Sequence, residues 1–139
     1  MINYVLKDHV IENVSDIQVL FYNPIFFVLK KKGKWLKILD CRIFNILIQV
    51  ESFKTEGARE IKDLLQQGDY ATSLDLHQAY HHIVVPIQIR PLLAFYFEQK
   101  SYWYRSVPFG EAVAPRIFAK TLKIAITEIR KQWKEIRII

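Results

Sequence analysis

The sequence predicts an α+β fold with a mostly antiparallel sheet and packed helices, and three observations support this prediction. Short apolar segments alternate with polar residues between glycine, proline or lysine-rich turns, which is typical of β-hairpins. Near the C-terminus, apolar residues instead recur every three or four positions, which is typical of an amphipathic helix. The chain has 139 residues, of which 51% are hydrophobic and 24% charged, so it can form one globular domain with a core.

The first hairpin is predicted between residues 23 and 41. Ile25–Leu29 and residues 35–41 have the composition of two strands. A lysine-rich turn at Gly33 connects them, and glycine is common in such turns.

A helix is predicted over residues 58–67, and Gly68 follows it at the position where a helix commonly ends. The next segment alternates two sets of residues with the period of a half-buried strand: Tyr70, Thr72 and Leu74 against Ala71, Ser73 and Asp75. This pattern places Asp75 at the end of a strand, with Tyr80 about one helical turn beyond it.

A second hairpin is predicted from residues 92–97 and 102–106, with its turn at Gln99 and Lys100. Before it, residues 83–85 are expected to form an edge strand that ends at Pro86. The final helix is predicted to begin at Pro115, and its apolar stripe is expected to pack on the sheet. The stripe consists of Phe118, Leu122, Ala125, Ile126, Ile129 and Trp133.

The formal net charge of +6 favours a polyanionic partner. Cys41 is the only cysteine, which excludes an internal disulfide framework and suits a reducing compartment. The first ten residues contain no long apolar core, and the most apolar run, residues 19–29, is too short to span a membrane. We therefore expect a soluble intracellular protein, cytoplasmic or nuclear, that is neither secreted nor embedded in a membrane.

Three parts of the sequence, in their order and spacing, resemble the reverse transcriptase family of retrotransposons of the LTR or DIRS-like type. The first is the lysine-rich hairpin with Asp40, Arg42 and Asn45 after it, and the second contains Asp75. The third runs from Val107-Pro108-Phe109-Gly110 to Ala114-Pro115-Arg116-Ile117-Phe118. The resemblance implies an N-terminal extension over residues 1–22, followed by the fingers and the front of the palm over residues 23–139.

The resemblance implies that the complete enzyme performs RNA-directed DNA synthesis on an RNA template and a DNA primer, using deoxynucleotides and Mg²⁺. Such enzymes use two divalent ions that bridge the attacking and leaving oxygens. By the same resemblance, Asp75 is the first metal-binding aspartate, and the backbone carbonyl of Leu76 is a further metal ligand. Oxygen atoms are the ligands that Mg²⁺ prefers.

The resemblance also implies the residues that bind substrates. Tyr80 excludes the ribose 2′-hydroxyl, Phe109 and Gly110 lie beside the nascent base pair, and Lys31 contacts the nucleotide. Nucleic-acid contacts are assigned to Lys30, Lys32, Lys34 and Arg42. Two alternatives remain open: the lysines form an ordinary solvated turn, or Arg42 only pairs with Asp40 to hold the hairpin. Leu36 departs from the family, which usually has a triphosphate-binding arginine there.

The second catalytic motif of the family, Tyr-x-Asp-Asp, is not found within these 139 residues. Two dications about 4 Å apart repel by roughly 17 kcal/mol at an effective dielectric constant near 20, so one carboxylate cannot hold both. We therefore expect the chain as given to be inactive and prone to self-association. The main interpretation is a fragment of a reverse transcriptase. The alternatives are a non-catalytic nucleic-acid-binding remnant and a piece that needs a separate chain for the missing palm and thumb.

A zinc site at His77 and His81, which are four residues apart, is a further alternative. Zinc requires at least three protein ligands, and Cys41 is the only thiol available. The sequence favours the magnesium interpretation at Asp75 over this one.

Overall fold

The computed structural model describes residues 2–29, 33, 35–54, 62–63 and 65–134. The chain divides into two compact units. The first consists of Met1–Val50 and Gln78–Ala114, and the second of Glu51–His77 and Pro115–Ile139.

The described residues contain both helices and antiparallel strands, as the predicted α+β class requires. In order they are α1 (Ile2–Lys7), β1 (Ile11–Val14), β2 (Ile25–Leu29), β3 (Trp35–Leu39), α2 (Arg42–Leu47), β4 (Ala94–Phe97), β5 (Lys100–Tyr104) and α3 (Ala114–Gln132). Short 3₁₀ segments occur at Asp16–Gln18, Ala79–His82 and Arg90–Leu92. No helix within the described ranges is long and apolar enough to cross a membrane.

The first unit contains a three-stranded antiparallel sheet in the order β1-β5-β4. The tight turn of the β4–β5 hairpin lies at Glu98 and Gln99, whose φ angles of +47° and +59° suit a two-residue hairpin turn. The predicted turn at Gln99 and Lys100 was therefore wrong by one residue, because Lys100 already pairs with Phe97 in the sheet. The expected edge strand at residues 83–85 is reduced to a bridge between Val84 and Ser106.

The predicted first hairpin is present as the antiparallel pair of β2 and β3, in which Ile25 faces Leu39 and Leu29 faces Trp35. The second strand is shorter than predicted. It ends at Leu39 because Cys41 already occupies the N-cap position of α2. The Asp40 amide donates a 2.8 Å hydrogen bond to the Pro24 carbonyl, which closes the open end of the hairpin.

The core of the first unit joins β3 and α2 to the three-stranded sheet. Its fully buried members include Leu39, Leu93 and Phe95. The Phe95 ring stacks on Tyr102 at 5.5 Å between ring centroids and contacts Tyr104 at 5.8 Å. Such aromatic contacts add to the free energy gained by burying apolar surface.

Lys37 on β3 places its ammonium group against this aromatic core. Its Nζ atom lies 4.0 Å from the ring centroid of Phe95 and 4.9 Å from that of Tyr104. The Nζ atom is buried and has no hydrogen-bond partner among the described residues. Burial lowers the pKa of Lys37 to about 7, while the two ring faces attract the charged form and oppose this effect.

The second unit contains most of α3, which begins at Ala114, one residue before the predicted start at Pro115. Its apolar stripe is more exposed than predicted, with Leu122 at 36%, Ile129 at 37% and Trp133 at 54% exposure. The side chains of Thr121 and Thr127 hydrogen-bond to backbone carbonyls four residues earlier in the helix. The Arg116 guanidinium forms an ion pair with Glu51.

The strand predicted to end at Asp75 is not formed. Residues 69–76 have no regular secondary structure and are exposed, with Tyr70 and Leu74 almost fully so. The alternating pattern is compatible with a strand, but a strand also needs a neighbour for its backbone hydrogen bonds. The described residues of the second unit contain no strand that could pair with this segment. Most of the helix predicted over residues 58–67 lies outside the described residues, although Lys62 and Asp63 are helical.

We predict that Lys37→Met changes the pH dependence of stability. The folded pKa of about 7 is below the ordinary value of 10.5, so the unfolded state binds more protons between these two pH values. The wild-type free energy of unfolding therefore rises with pH over this range. Relative to the variant, we expect a rise of about 1–3 kcal/mol from pH 7 to 9.5, measured by urea unfolding. Lys100→Met, at an exposed position, is the control, and parallel curves for wild type and Lys37→Met would contradict the prediction.

Candidate functional site

Strand β3 leads directly into an ion pair between Asp40 and Arg42. The Arg42 Nε atom donates to both carboxylate oxygens at 2.9 and 3.0 Å, and Nη2 donates to Oδ2 at 2.6 Å. These hydrogen bonds lower the pKa of Asp40 and raise that of Arg42. The predicted pair is therefore formed. The Arg42 side chain is nevertheless 86% exposed, so its guanidinium remains accessible to an anion.

Helix α2 carries Asn45, whose side chain binds a distant loop at two points. Its Nδ2 atom donates to the Gly110 carbonyl at 2.8 Å, and its Oδ1 atom accepts from the Ala112 amide at 2.8 Å. The sequence analysis identified Asn45 only as part of the family motif and assigned no contact to it. The loop it binds is the one predicted to lie beside a nascent base pair.

Gly110 lies where no side chain fits. Its φ angle is +110°, a value that residues other than glycine rarely adopt. A Cβ atom added here would lie 2.5 Å from the Leu39 carbonyl oxygen. The loop therefore approaches the end of β3 backbone to backbone, a contact that the sequence did not predict.

Tyr80 and Phe109 contact each other edge to face, with 5.3 Å between ring centroids. The His81 ring also approaches Phe109, at 5.8 Å. Tyr80 and His81 belong to the 3₁₀ segment Ala79–His82. Gln78 precedes this segment and has a left-handed φ of +51°. The first unit thus brings together two residues that the sequence predicted as nucleotide contacts.

A shallow groove of about 450 Å³ lies at the base of the first hairpin. It is lined by residues of β2, β3, the start of α2 and the glycine loop: Phe26, Ile38, Leu39, Asp40, Cys41, Arg42 and Gly110. An apolar floor with one ion pair at its edge suits a ligand that has both a flat apolar face and an anionic group.

Glu111, in the same loop, is buried, and its Oε2 atom has no hydrogen-bond partner among the described residues. Burial raises the pKa of Glu111 to about 7. Burial, together with the nearby Glu111 and Asp40, also raises the pKa of the Cys41 thiol to about 12. Sequence analysis did not identify Glu111, because a glutamate between glycine and alanine has no local pattern that distinguishes it from a surface residue.

The remaining predicted residues belong to the second unit or lie outside the described residues. Asp75 and Leu76 belong to the second unit, where both are exposed. Lys30, Lys31, Lys32 and Lys34 lie outside the described residues. Within the described ranges, no three His, Cys, Asp or Glu side chains are grouped so that they could hold a metal ion.

The family model described as reverse transcriptase (RNA-dependent DNA polymerase) matches residues 28–139. The chain belongs to the reverse transcriptase family. It is 29% identical over 131 residues to the retrovirus-related Pol polyprotein from transposon 412 of Drosophila melanogaster, covering 89% of this chain and 10% of that protein. It is 30% identical over 124 residues to the Gag-Pro-Pol polyprotein of human T-cell leukemia virus 3 (strain Pyl43), and the match covers 84% of this chain and 9% of that protein. The chain thus spans about a tenth of the length of these relatives.

Solved structures agree with this assignment at the level of the fold. The prototype foamy virus protease-reverse transcriptase (CSH mutant) has a TM-score of 0.76 and 24% identity, covering 92% of this chain and 17% of that chain. The foamy viral protease-reverse transcriptase in complex with double-stranded DNA has a TM-score of 0.75 and 22% identity. The match covers 97% of this chain and 26% of that chain. The predicted family and the predicted α+β class are both confirmed.

We predict that Glu111→Gln makes the protein more stable at neutral and alkaline pH. The folded pKa of about 7 exceeds the ordinary value of 4.5, so the folded state holds the proton more tightly between these values. The stabilising contribution of the protonated group is complete below pH 4.5 and is lost as the pH rises through 7. From pH 5 to 8, we expect the wild type to lose about 2–3 kcal/mol relative to Glu111→Gln in urea unfolding.

The control for this measurement is Glu98→Gln, which changes an exposed carboxyl in the β4–β5 turn. Its stability curve is expected to remain parallel to that of the wild type. If Glu111→Gln also gives a parallel curve, Glu111 is ionised in the folded state at pH 7 and the inferred burial cost is wrong.

Proposed function

We propose that this chain is the fingers and front-of-palm part of a reverse transcriptase that copies an RNA template into DNA. The observation that carries the proposal is the family match over residues 28–139, which includes most of the lysine-rich hairpin and all of the Asp75 segment and the glycine loop. The first unit supports it, because residues from separate parts of the sequence converge there. Asn45 binds the glycine loop, and that loop places Phe109 against Tyr80.

The geometry of the first unit suits selection of a deoxynucleotide. The Tyr80 ring is held by its edge-to-face contact with Phe109 and is therefore restricted in its motion. A bulky, fixed ring discriminates against an additional hydroxyl group by steric exclusion, and we assign this role toward the ribose 2′ position to Tyr80. Because Gly110 has no side chain, the loop that carries Phe109 packs directly against the Leu39 carbonyl at the end of β3.

Asp75 and the Leu76 carbonyl are the residues that would hold a divalent metal ion. Both residues are exposed, and carboxylate and carbonyl oxygens are the donors that Mg²⁺ accepts. When bound, the ion would neutralise charge on the phosphate oxygens during DNA synthesis. Further oxygen ligands would have to come from substrate phosphates, water and other carboxylates. Asp75 itself would contribute one anionic ligand and thereby help to fix the position of the ion.

The metal assignment predicts that Asp75→Asn weakens Mn²⁺ binding by the chain in the presence of a primed RNA template. Replacing the carboxylate removes the anionic ligand but keeps the size of the side chain, so we expect the affinity to fall at least about tenfold. Electron paramagnetic resonance of free Mn²⁺ measures this loss. Asp63→Asn, a change at another exposed aspartate of the second unit, is the matched control. Equal Mn²⁺ affinities for wild type and Asp75→Asn would refute the assignment.

The nucleic-acid assignment concerns the turn between β2, which ends at Leu29, and β3, which begins at Trp35. If its four lysines contact phosphates of a single strand, the plot of log affinity against log salt concentration has a slope near about −2.8. This slope corresponds to a roughly fifty-fold loss of affinity between 50 and 200 mM salt. Fluorescence anisotropy with a labelled RNA strand measures both quantities. The variant replaces Lys30, Lys31, Lys32 and Lys34 by Ala, and we expect it to bind more weakly and with a flatter slope.

A matched control removes the same number of charges from the C-terminal part of the chain, by replacing Lys120, Lys123, Lys131 and Lys134 with Ala. The turn is only solvated, and the positive charge acts through α3, if the turn variant keeps the wild-type affinity and salt slope while the C-terminal variant loses them. If both variants bind like the wild type, neither lysine group contacts the strand.

A further inference from the structure

The Asn45 side chain uses both ends of its amide on one loop. Nδ2 donates to the Gly110 carbonyl and Oδ1 accepts from the Ala112 amide, each at 2.8 Å. The two bonded groups flank Glu111 and lie more than 60 residues away in sequence. A side chain must carry a donor and an acceptor side by side to make this pair of bonds. Aspartate could accept from Ala112 but has nothing to donate to Gly110, and alanine could do neither.

Several features of the loop that Asn45 binds disfavour its observed position, so contacts with the rest of the unit are needed to hold it there. Glu111 in its centre is buried with an unpartnered oxygen, which disfavours the observed position. Gly110 occupies a left-handed conformation directly against the Leu39 carbonyl. The Phe109 ring, at the start of the loop, makes edge-to-face contacts with the rings of Tyr80 and His81. The two hydrogen bonds of Asn45 are directional contacts from another element, α2, that oppose a shift.

We propose that Asn45 is a positioning residue that holds the backbone from Gly110 to Ala112 so that the Phe109 ring remains against Tyr80. Its neighbours on α2 do not share this role, because Ile43 and Ile46 are exposed at 55% and 81%. The consequence for nucleotide selection rests on the proposed function, which assigns Tyr80 and Phe109 to the deoxynucleotide site. The positioning role itself is independent of that assignment.

The first experiment is nuclear magnetic resonance on the isotopically labelled chain, with variants Asn45→Ala and Asn45→Asp. In Asn45→Ala, we expect the Ala112 amide to exchange with solvent about tenfold faster and the ring resonances of Phe109 and Tyr80 to shift. Asn45→Asp keeps the size of the side chain and the acceptor for Ala112. It is expected to preserve the Ala112 protection while shifting the Gly110 carbonyl and the Phe109 ring resonances.

Ile46→Ala is the matched control on the same helix, and its spectrum is expected to match the wild type in this loop. The proposal is overturned if the Phe109 and Tyr80 resonances do not move in either Asn45 variant. It is also overturned if the core residue Phe95 is perturbed as strongly as Phe109, because Asn45 would then act only on overall stability. If Asn45→Ala does not fold, the Asn45→Asp spectrum decides by the same criteria.

The second experiment measures deoxynucleotide affinity in the presence of a primed template. We expect Asn45→Asp to weaken deoxynucleotide binding about tenfold and to leave the affinity for the primed template within about twofold of wild type. Unchanged deoxynucleotide affinity would overturn the link between loop position and substrate binding. If the wild-type chain retains no deoxynucleotide, the proposed function fails in this assay, and the magnetic resonance result alone decides whether Asn45 positions the loop.

Discussion

The close approach of the Gly110 backbone to the end of β3 is the constraint on which the rest of the candidate site depends. The glycine has no side chain between it and the Leu39 carbonyl, and any Cβ would overlap that oxygen. This contact brings the segment after β5 next to the residues that follow the first hairpin. Asn45 can then reach the loop with both ends of its amide, and Phe109 can meet Tyr80. Removing the space that glycine leaves would disturb all of these contacts at once.

The first unit contains two ionisable groups whose burial changes stability with pH in opposite directions. Burial favours the neutral form of Lys37, whose Nζ atom lies over the aromatic rings of the core. It also favours the neutral form of Glu111, whose Oε2 atom has no partner among the described residues. Lys37 makes the fold more stable toward alkaline pH and Glu111 toward acid pH. Buried polar atoms without partners are uncommon in native proteins. The Oε2 atom of Glu111 is one of them, and it lies within the loop that forms the candidate site.

The Asp75 segment shows how strand formation depends on a partner. Its alternating residues have the composition of a strand, yet residues 69–76 have no regular secondary structure and are exposed. The pattern describes which residues a sheet would bury, but backbone hydrogen bonds to a neighbour stabilise the strand itself. The chain spans about a tenth of the polyproteins it resembles. The metal-binding role of Asp75 consequently remains a proposal about the whole enzyme, whereas the aromatic contact of Tyr80 is a property of this chain.

The sequence by itself determined the family, the α+β class, the first hairpin and the start of the last helix. The family was indicated by the resemblance of three motifs in their order and spacing. The other features depend on local information: alternation with a period of two, apolar repeats at three and four positions, and the residues that form turns and helix ends. The tertiary structure decided the contacts of Asn45, the burial of Lys37 and Glu111, and the exact turn of the second hairpin. Asn45 meets Gly110 across 65 residues, and the turn at Glu98 and Gln99 follows from the pairing of Phe97 with Lys100. The contacts of Asn45 depend on which distant groups come together, and the turn depends on the register of the two strands beside it. No local pattern of residues carries either kind of information.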